Sequence, residues 1–181
     1  MLEDRLLLWK FKCGNRDAFR SIYEKYAGDL LTLAANLLGD SYAAEDVVQD
    51  VFVSFVKSVE QFHLTGSLRS YLATCVANRS RDCIRKRKTQ RAAAVNDAEQ
   101  ITSDAKGPVQ LIIDSEQLRK VSNAMTQLPY EQREVVVLRL HGDLRFRQIA
   151  RLQNVSVKTA LSRYRYALNR LRSILDGEVE K

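Results

Sequence analysis

The stretch YAAEDVVQDVF, residues 42–52, sets the fold class. Val47, Val48, Val51 and Phe52 recur at steps of three and four, and Phe55, Val56 and Val59 continue the stripe. That is the period of an amphipathic helix with one side in a core; a half-buried strand would alternate apolar and polar residues instead. Glu45, Asp46, Gln49 and Asp50 fall on the other side, a polar, mostly acidic face in a chain of formal net charge +7. Gly39 precedes this segment, and Asp40 or Ser41 supplies its N-cap.

Working outward, the same period recurs over residues 4–12, 16–38, 41–60 and 67–88, and then over 109–127, 129–140, 144–152 and 156–175. In the fourth stretch Leu68, Leu72, Cys75, Val76, Cys83 and Ile84 form the expected buried side. In the fifth it is Leu111, Leu118, Val121, Met125 and Leu128, and Pro129 is the expected N1 residue of the sixth. With only 7 Gly and 2 Pro in 181 residues, breakers are scarce, and 45% hydrophobic residues suffice to bury real cores. The expected fold is all-α.

Between these blocks, TQRAAAVNDAEQITSDAKG (residues 89–107) is small, polar and largely without period, and Pro108 offers a helix start. The expected organisation is therefore a first helical module over 1–88, a flexible linker over 89–108 and a second module over 109–181. A flexible linker of that length spans on the order of 25 Å, so the two modules can occupy separate places on one extended ligand. Charge follows the division. Residues 1–88 carry 14 Lys and Arg against 11 Asp and Glu, residues 89–114 carry 2 against 4, and residues 115–181 carry 13 against 7. Two basic blocks flanking an acidic connection point to a polyanionic partner.

FRQIARLQNVSVKTALSRYRYALNRLR, residues 146–172, has the pattern of a helix-turn-helix. Close crossing of two helices requires a small residue at the contact and a turn residue that tolerates positive φ; Ala150 and Asn154 meet those demands. Ser156 caps the second helix. Leu161, Tyr164, Leu168, Leu171 and Leu175 are its expected core side, while Lys158, Ser162, Arg165 and Asn169 line another, with Arg163 and Arg170 beside it. Such a face can reach base edges in a major groove, with flanking Arg on phosphates; the plain alternative is a basic solvated face.

A second basic constellation is NRSRDCIRKRK, residues 78–88. Asn78, Arg81, Arg85 and Lys88 share a helix face suited to a phosphate backbone or to exposed bases. Upstream, Phe62, His63 and Tyr71 offer rings on which an unstacked base can lie, although Phe62 and Tyr71 equally suit a core, and His63 an exposed loop.

Catalytic signatures are missing. Asp46 and Asp50, four apart, have no supporting His and suit a solvated or partner-binding face better than acid–base or metal chemistry. The chain has no G-x-x-x-x-G-K-[ST], G-x-G-x-x-G, H-E-x-x-H or G-x-S-x-G and only two histidines, so no enzyme, metal or cofactor is expected. Cys13, Cys75 and Cys83 lack C-x-x-C spacing and are expected to be buried thiols. The opening MLEDRLLLWKFK has too short an apolar run for a signal peptide or a membrane span, which implies a cytoplasmic protein.

Residues 40–55, and A-E-D-V-V-Q-D-V-F above all, resemble the core-binding helix of region 2 in sigma-70-type initiation factors, especially the two-domain extracytoplasmic-function group. CGNRDAFRSIYEKYAGDLLTLAANLLGD resembles the start of that region, SLRSYLATCVANRSRDCIRKRK its promoter-melting helix, and LPYEQREVVVLRLHGDLRFRQIARLQNVSVKTALSRYRYALNRLR is similar to region 4. The resemblance implies a factor that binds bacterial core RNA polymerase, through the β′ clamp helices and the β flap, and directs it to promoter DNA. It implies that Glu45, Asp46, Gln49 and Asp50 bind core enzyme. Phe62, His63, Tyr71, Asn78, Arg81, Arg85 and Lys88 would serve the −10 element, with one base flipped near the 62–66 loop. Arg147, Ser156, Lys158, Thr159, Ser162, Arg163 and Arg165 would serve the −35 element. An anti-sigma factor is a possible further partner. Tyr71 stands where the family usually has Trp, Gln148 where Glu is common, Asn154 and Lys158 where Gly is, and Leu161 and Tyr166 where basic residues are. The rivals are a stand-alone helix-turn-helix regulator, with residues 1–88 as a dimerisation or effector module, and a helical adaptor that binds no DNA.

Overall fold

The computed structural model describes residues 2–95 and 116–179. Among them are eight helices and no strand: α1 (Leu2–Lys12), α2 (Arg16–Leu38), α3 (Ser41–Ser58), α4 (Leu68–Val95), α5 (Glu116–Thr126), α6 (Tyr130–Leu140), α7 (Phe146–Gln153) and α8 (Val157–Val179). Their ends follow local chemistry. Asn15 caps α2 by accepting the Ala18 N–H at 3.1 Å, and Gly39 closes it in the left-handed region at φ 68°. Asp40 then caps α3, accepting the Ala43 N–H at 3.2 Å. Pro129 is the N-cap of α6, one residue outside the expected N1 place.

α4 continues to Val95 rather than ending near Lys88. The seven added residues, TQRAAAV, lack an apolar period but contain no breaker and three Ala, so propensity carries the helix on. The rest of the expected linker, Pro108 and Leu111 lie outside the described residues.

α1–α4 pack together, with α2 on α1, α3 and α4 and α3 also on α4; α6 and α7 pack on α8. Ile22, Leu30, Leu33, Leu37, Phe55, Leu68 and Leu72 fill the first core. The two halves do not stand apart. One apolar cluster runs from those residues into Val135, Val137, Leu138, Leu144 and Ile149, with α6 lying against α2 and α4. In α6 five successive residues, Glu134 to Leu138, are buried, which requires neighbours all round the helix. Small residues on α4 permit the approach: Ser70 donates to the Asp143 carbonyl at 3.2 Å, and a Cβ on Gly142 would come within 3.1 Å of that of Ala73.

Several expected burial patterns shift. Val56 and Val121 are exposed, as is Leu168, whose place on the inner side of α8 is taken by Ala160 and Ala167. Both alanines suit a crossing of helices too close for a leucine. Cys13, in the turn after α1, is exposed, and Cys75 and Cys83 on α4 are only half-buried.

Candidate nucleic-acid and partner interfaces

α3 presents the first face. Val47, Val48, Val51, Phe52 and Phe55 are buried, which turns Glu45, Asp46, Gln49 and Asp50 outward, all four exposed. Tyr42, Val53 and Val56 are exposed on the same side, so the acids sit among apolar groups at the steps 42, 46, 49, 53 and 56. That is the periodicity of a helix awaiting another helix. Asp50 lies 3.4 Å from Arg79 on α4, and Arg87 donates to Asp40 at 2.7 Å. Burial alone would raise the Asp40 carboxyl, but the Ala43 N–H and the Arg87 guanidinium outweigh it and hold the group below the usual carboxylate range. A groove of about 330 Å³ separates the helices, with Asp46 and Asp50 on one wall and Arg79, Lys86 and Arg87 on the other.

α4 presents the second. Asn78, Arg85 and Lys88 are exposed, and Arg85 pairs with Asp82 one turn back at 2.9 Å. Arg81 is not with them. Its Nε and Nη2 donate to the two oxygens of Glu134 at 2.8 and 2.6 Å, and its Nη1 donates to the Leu152 carbonyl at 2.6 Å. Helical spacing puts Arg81 on the basic face; α6 and α7 claim it.

The 59–67 loop is fixed from α1. Asp4, buried, accepts from Tyr26 at 2.6 Å and from Lys25 at 3.0 Å, which anchors α1 on α2. Burial works to raise the Asp4 carboxyl, yet those two hydrogen bonds win and lower it. From the other end of α1, Lys12 donates to the carbonyls of Glu60 and Phe62, at 3.3 and 2.6 Å. Phe62 packs on Tyr71, ring centres 4.4 Å apart, and on Phe55 at 5.6 Å, so both rings are partly core, whereas His63 is exposed. An open cleft of about 280 Å³ beside the loop is lined by Arg5, Trp9 and Lys12 together with Phe62 and His63. Sequence reasoning missed Arg5, Trp9 and Lys12, because α1 is distant in the chain. The only hint was the period Leu2, Leu6, Trp9, which leaves those three exposed.

In the helix-turn-helix, Asn154 adopts φ 53°, ψ 47°, the left-handed conformation the turn demands, and Ala150 is buried at the crossing. Gln148 accepts the Arg145 N–H at 2.8 Å, and Ser156 accepts that of Thr159 at 3.0 Å, capping α7 and α8. Arg147, Ser156, Lys158, Thr159 and Arg165 are exposed; Ser162 and Arg163 are half-buried. Arg163 donates to Gln153 Oε1 at 2.7 Å. Among the described residues no cluster of His, Cys, Asp and Glu could hold a metal, and no helix is long and apolar enough to cross a membrane.

A family model described as "Sigma-70 region 2" matches residues 22–90, and one described as "Sigma-70, region 4" matches 118–171. The chain belongs to the sigma-70 family. Its relatives place it in the extracytoplasmic-function (ECF) group of sigma factors. It is 28% identical over 170 residues to the ECF RNA polymerase sigma factor SigW of Bacillus subtilis, covering 88% of this chain and 91% of that one. It is 28% identical over 186 residues to the RNA polymerase sigma factor CnrH of Cupriavidus metallidurans, covering 98% and 97%. Among solved structures, the sigma factor RpoE of Bartonella quintana, in complex with the anti-sigma factor NepR, superposes with TM-score 0.69 at 26% identity, over 87% of this chain and 96% of that one. CnrH in complex with the cytosolic domain of CnrY has the same fold, with TM-score 0.67 at 24% identity. In this sigma factor the region 2 match thus runs from within α2 into α4, and the region 4 match from within α5 into α8.

Proposed function

We propose that this sigma factor binds bacterial core RNA polymerase through the outer face of α3, reads promoter DNA with α8 and α4, and helps melt the −10 element. The observation that carries the reading is the α3 face: Glu45, Asp46, Gln49 and Asp50 are all exposed, interleaved with exposed Tyr42, Val53 and Val56. Acids ringed by apolar side chains suit a basic helical protein surface, such as the β′ clamp helices, where the charges guide encounter and the apolar groups hold. The same acids would be repelled by DNA. Region 4 would meet the β flap as well as the −35 element.

For duplex −35 DNA, Ser156, Lys158 and Thr159 lie at the start of α8, where side chains enter a major groove, with Arg147 and Arg165 beside them for phosphates. Ser162 and Arg163 would join once Arg163 leaves Gln153. For the −10 element, Asn78, Arg85 and Lys88 are the outward donors of α4. Phe62, His63 and Tyr71 border the loop where an unpaired base would lodge. Arg81 would serve the same strand when released from Glu134. Catalysis belongs to the polymerase, this chain supplying recognition and strand capture, and the site of action is the cytoplasm. NepR and CnrY partner two of its structural relatives, so an anti-sigma factor is a further candidate partner.

Reconstitution with core polymerase tests the reading: size-exclusion co-elution, then run-off transcription from a pool of random promoter fragments. Co-elution with promoter-selective transcripts is expected. Absence of co-elution, with specific retention of duplex DNA by the protein alone, would overturn it in favour of a stand-alone regulator.

A further inference from the structure

Glu134 sits where a carboxylate needs a strong reason to be. It is 1% exposed, in a helix whose next four residues are all apolar and buried, and it keeps its oxygens out of water. Its donors come from three helices: Arg81 of α4 twice, Tyr130 of α6 at 3.1 Å, and Gln153 of α7 at 2.8 Å, while Arg163 of α8 in turn donates to Gln153. Burial pushes the Tyr130 hydroxyl far up, and the adjacent Glu134 charge adds to that. For Arg81, burial works to lower the group, but its hydrogen bond and ion pair with Glu134 win and raise it. Two arginines assigned above to different promoter elements are thus tied, directly or through an amide, to one buried carboxylate.

We propose that Glu134 is an internal surrogate for a DNA phosphate: it latches region 4 onto region 2 and withholds Arg81, and through Gln153 also Arg163, from nucleic acid until the two regions part. The DNA half of this inference rests on the function proposed above; the closure itself does not. Arg81 cannot serve a backbone phosphate and Glu134 together. Releasing it in the closed form leaves a buried carboxylate without its cation, held by the Tyr130 hydroxyl and the Gln153 amide, which is costly, whereas separation of the regions lets water take over Glu134. Polar and close contacts accompany the apolar cluster that joins the two regions. Ser70 meets the Asp143 carbonyl, Ala73 meets Gly142, and Arg133 of α6 donates to the Leu37 carbonyl of α2 at 3.1 Å. The closed state and a strand-bound state that engages Arg81 therefore exclude one another, and a strand that takes Arg81 must open the molecule.

The test uses the full chain, with small-angle X-ray scattering for its radius of gyration and anisotropy of a fluorescein-labelled single-stranded DNA at low salt for affinity. Glu134→Gln removes the charge while keeping the shape; Ala73→Leu wedges the contact from outside the network. Both variants, with helicity verified by circular dichroism, should expand and bind the strand roughly tenfold tighter, since a hidden binding state weakens apparent affinity by its population. Wild-type protein should expand when the strand is added. Folded variants as compact as wild type, expansion without tighter binding, or a wild-type complex that stays compact would each overturn the latch; the last stands even if a variant fails to fold. Failure of the functional reading shows elsewhere, in loss of co-elution with core polymerase, which neither scattering nor strand affinity reports.

Discussion

Two faces of region 2, read from sequence by the same helical arithmetic, fare differently in the folded chain. On α3 all four polar residues, Glu45, Asp46, Gln49 and Asp50, remain at the surface. On α4 the series Asn78, Arg81, Arg85, Lys88 loses its second member to Glu134, 53 residues away. The difference is one of position in the tertiary structure. The outer side of α3 stays exposed, with Asp50 paired across the groove to Arg79, whereas α4 lies between region 2 and region 4, so its face is partly interior. Periodicity says which side chains point the same way; it does not say whether another part of the chain already holds them.

The bluntest way to break this comparison is to reverse charge on α3. Asp46→Lys with Asp50→Lys should abolish core-polymerase binding in a pull-down, because close charge reversals across an interface cost several kcal/mol. Both sites are exposed, so circular dichroism should remain unchanged, and normal recovery of core enzyme would reject the α3 assignment. On α4 the contrast within one face is the sharper instrument. Arg81→Ala should cost on the order of 3 kcal/mol in urea denaturation, since it strands Glu134. Arg85→Ala, at an exposed pair, should stay within about 0.5 kcal/mol. Equal effects at the two arginines would remove the distinction drawn here.

A smaller, kinetic effect separates melting from docking. Asn78→Ala should slow open-complex formation roughly tenfold, the scale of one lost base contact, with initial promoter binding less affected. Equal losses in both steps would argue against a melting role.

The gentlest probe is pH. His141, at the α6–α7 turn, faces Asp29 of α2 and Arg69 of α4; burial lowers its pKa, Arg69 lowers it further and Asp29 opposes them. The unfolded chain therefore takes up this proton first as pH falls through about 6.5, so the stability held by neutral His141 is present above that pH and drains away below it. His141→Gln should flatten the stability profile between about pH 7 and pH 5, while the Asp4 and Asp40 contributions, whose folded carboxyls are lowered, persist until about pH 4 and are lost below. An unchanged slope would show that the turn does not sense its protonation.

Local features were legible in the chain itself: the eight helical segments, a cap at Asp40 or Ser41 that the structure assigns to Asp40, the Ser156 cap, the left-handed Asn154 and the outward acids of α3. Each is fixed by side chains within one or two turns, through period, cap chemistry and permitted φ. Other features needed distance. Trp9 joins the 59–67 loop only because Asp4 and Lys12 seat α1; Val56 and Leu168 are exposed because what packs beside a helix decides how wide its buried stripe is. Most of all, the sequence marks Glu134 merely as an acid ahead of Val135, Val136 and Val137. Its burial, and its hold on Arg81 and Gln153, arise from the packing of α6 between the two regions. Such contacts depend on three-dimensional neighbours that no local pattern encodes.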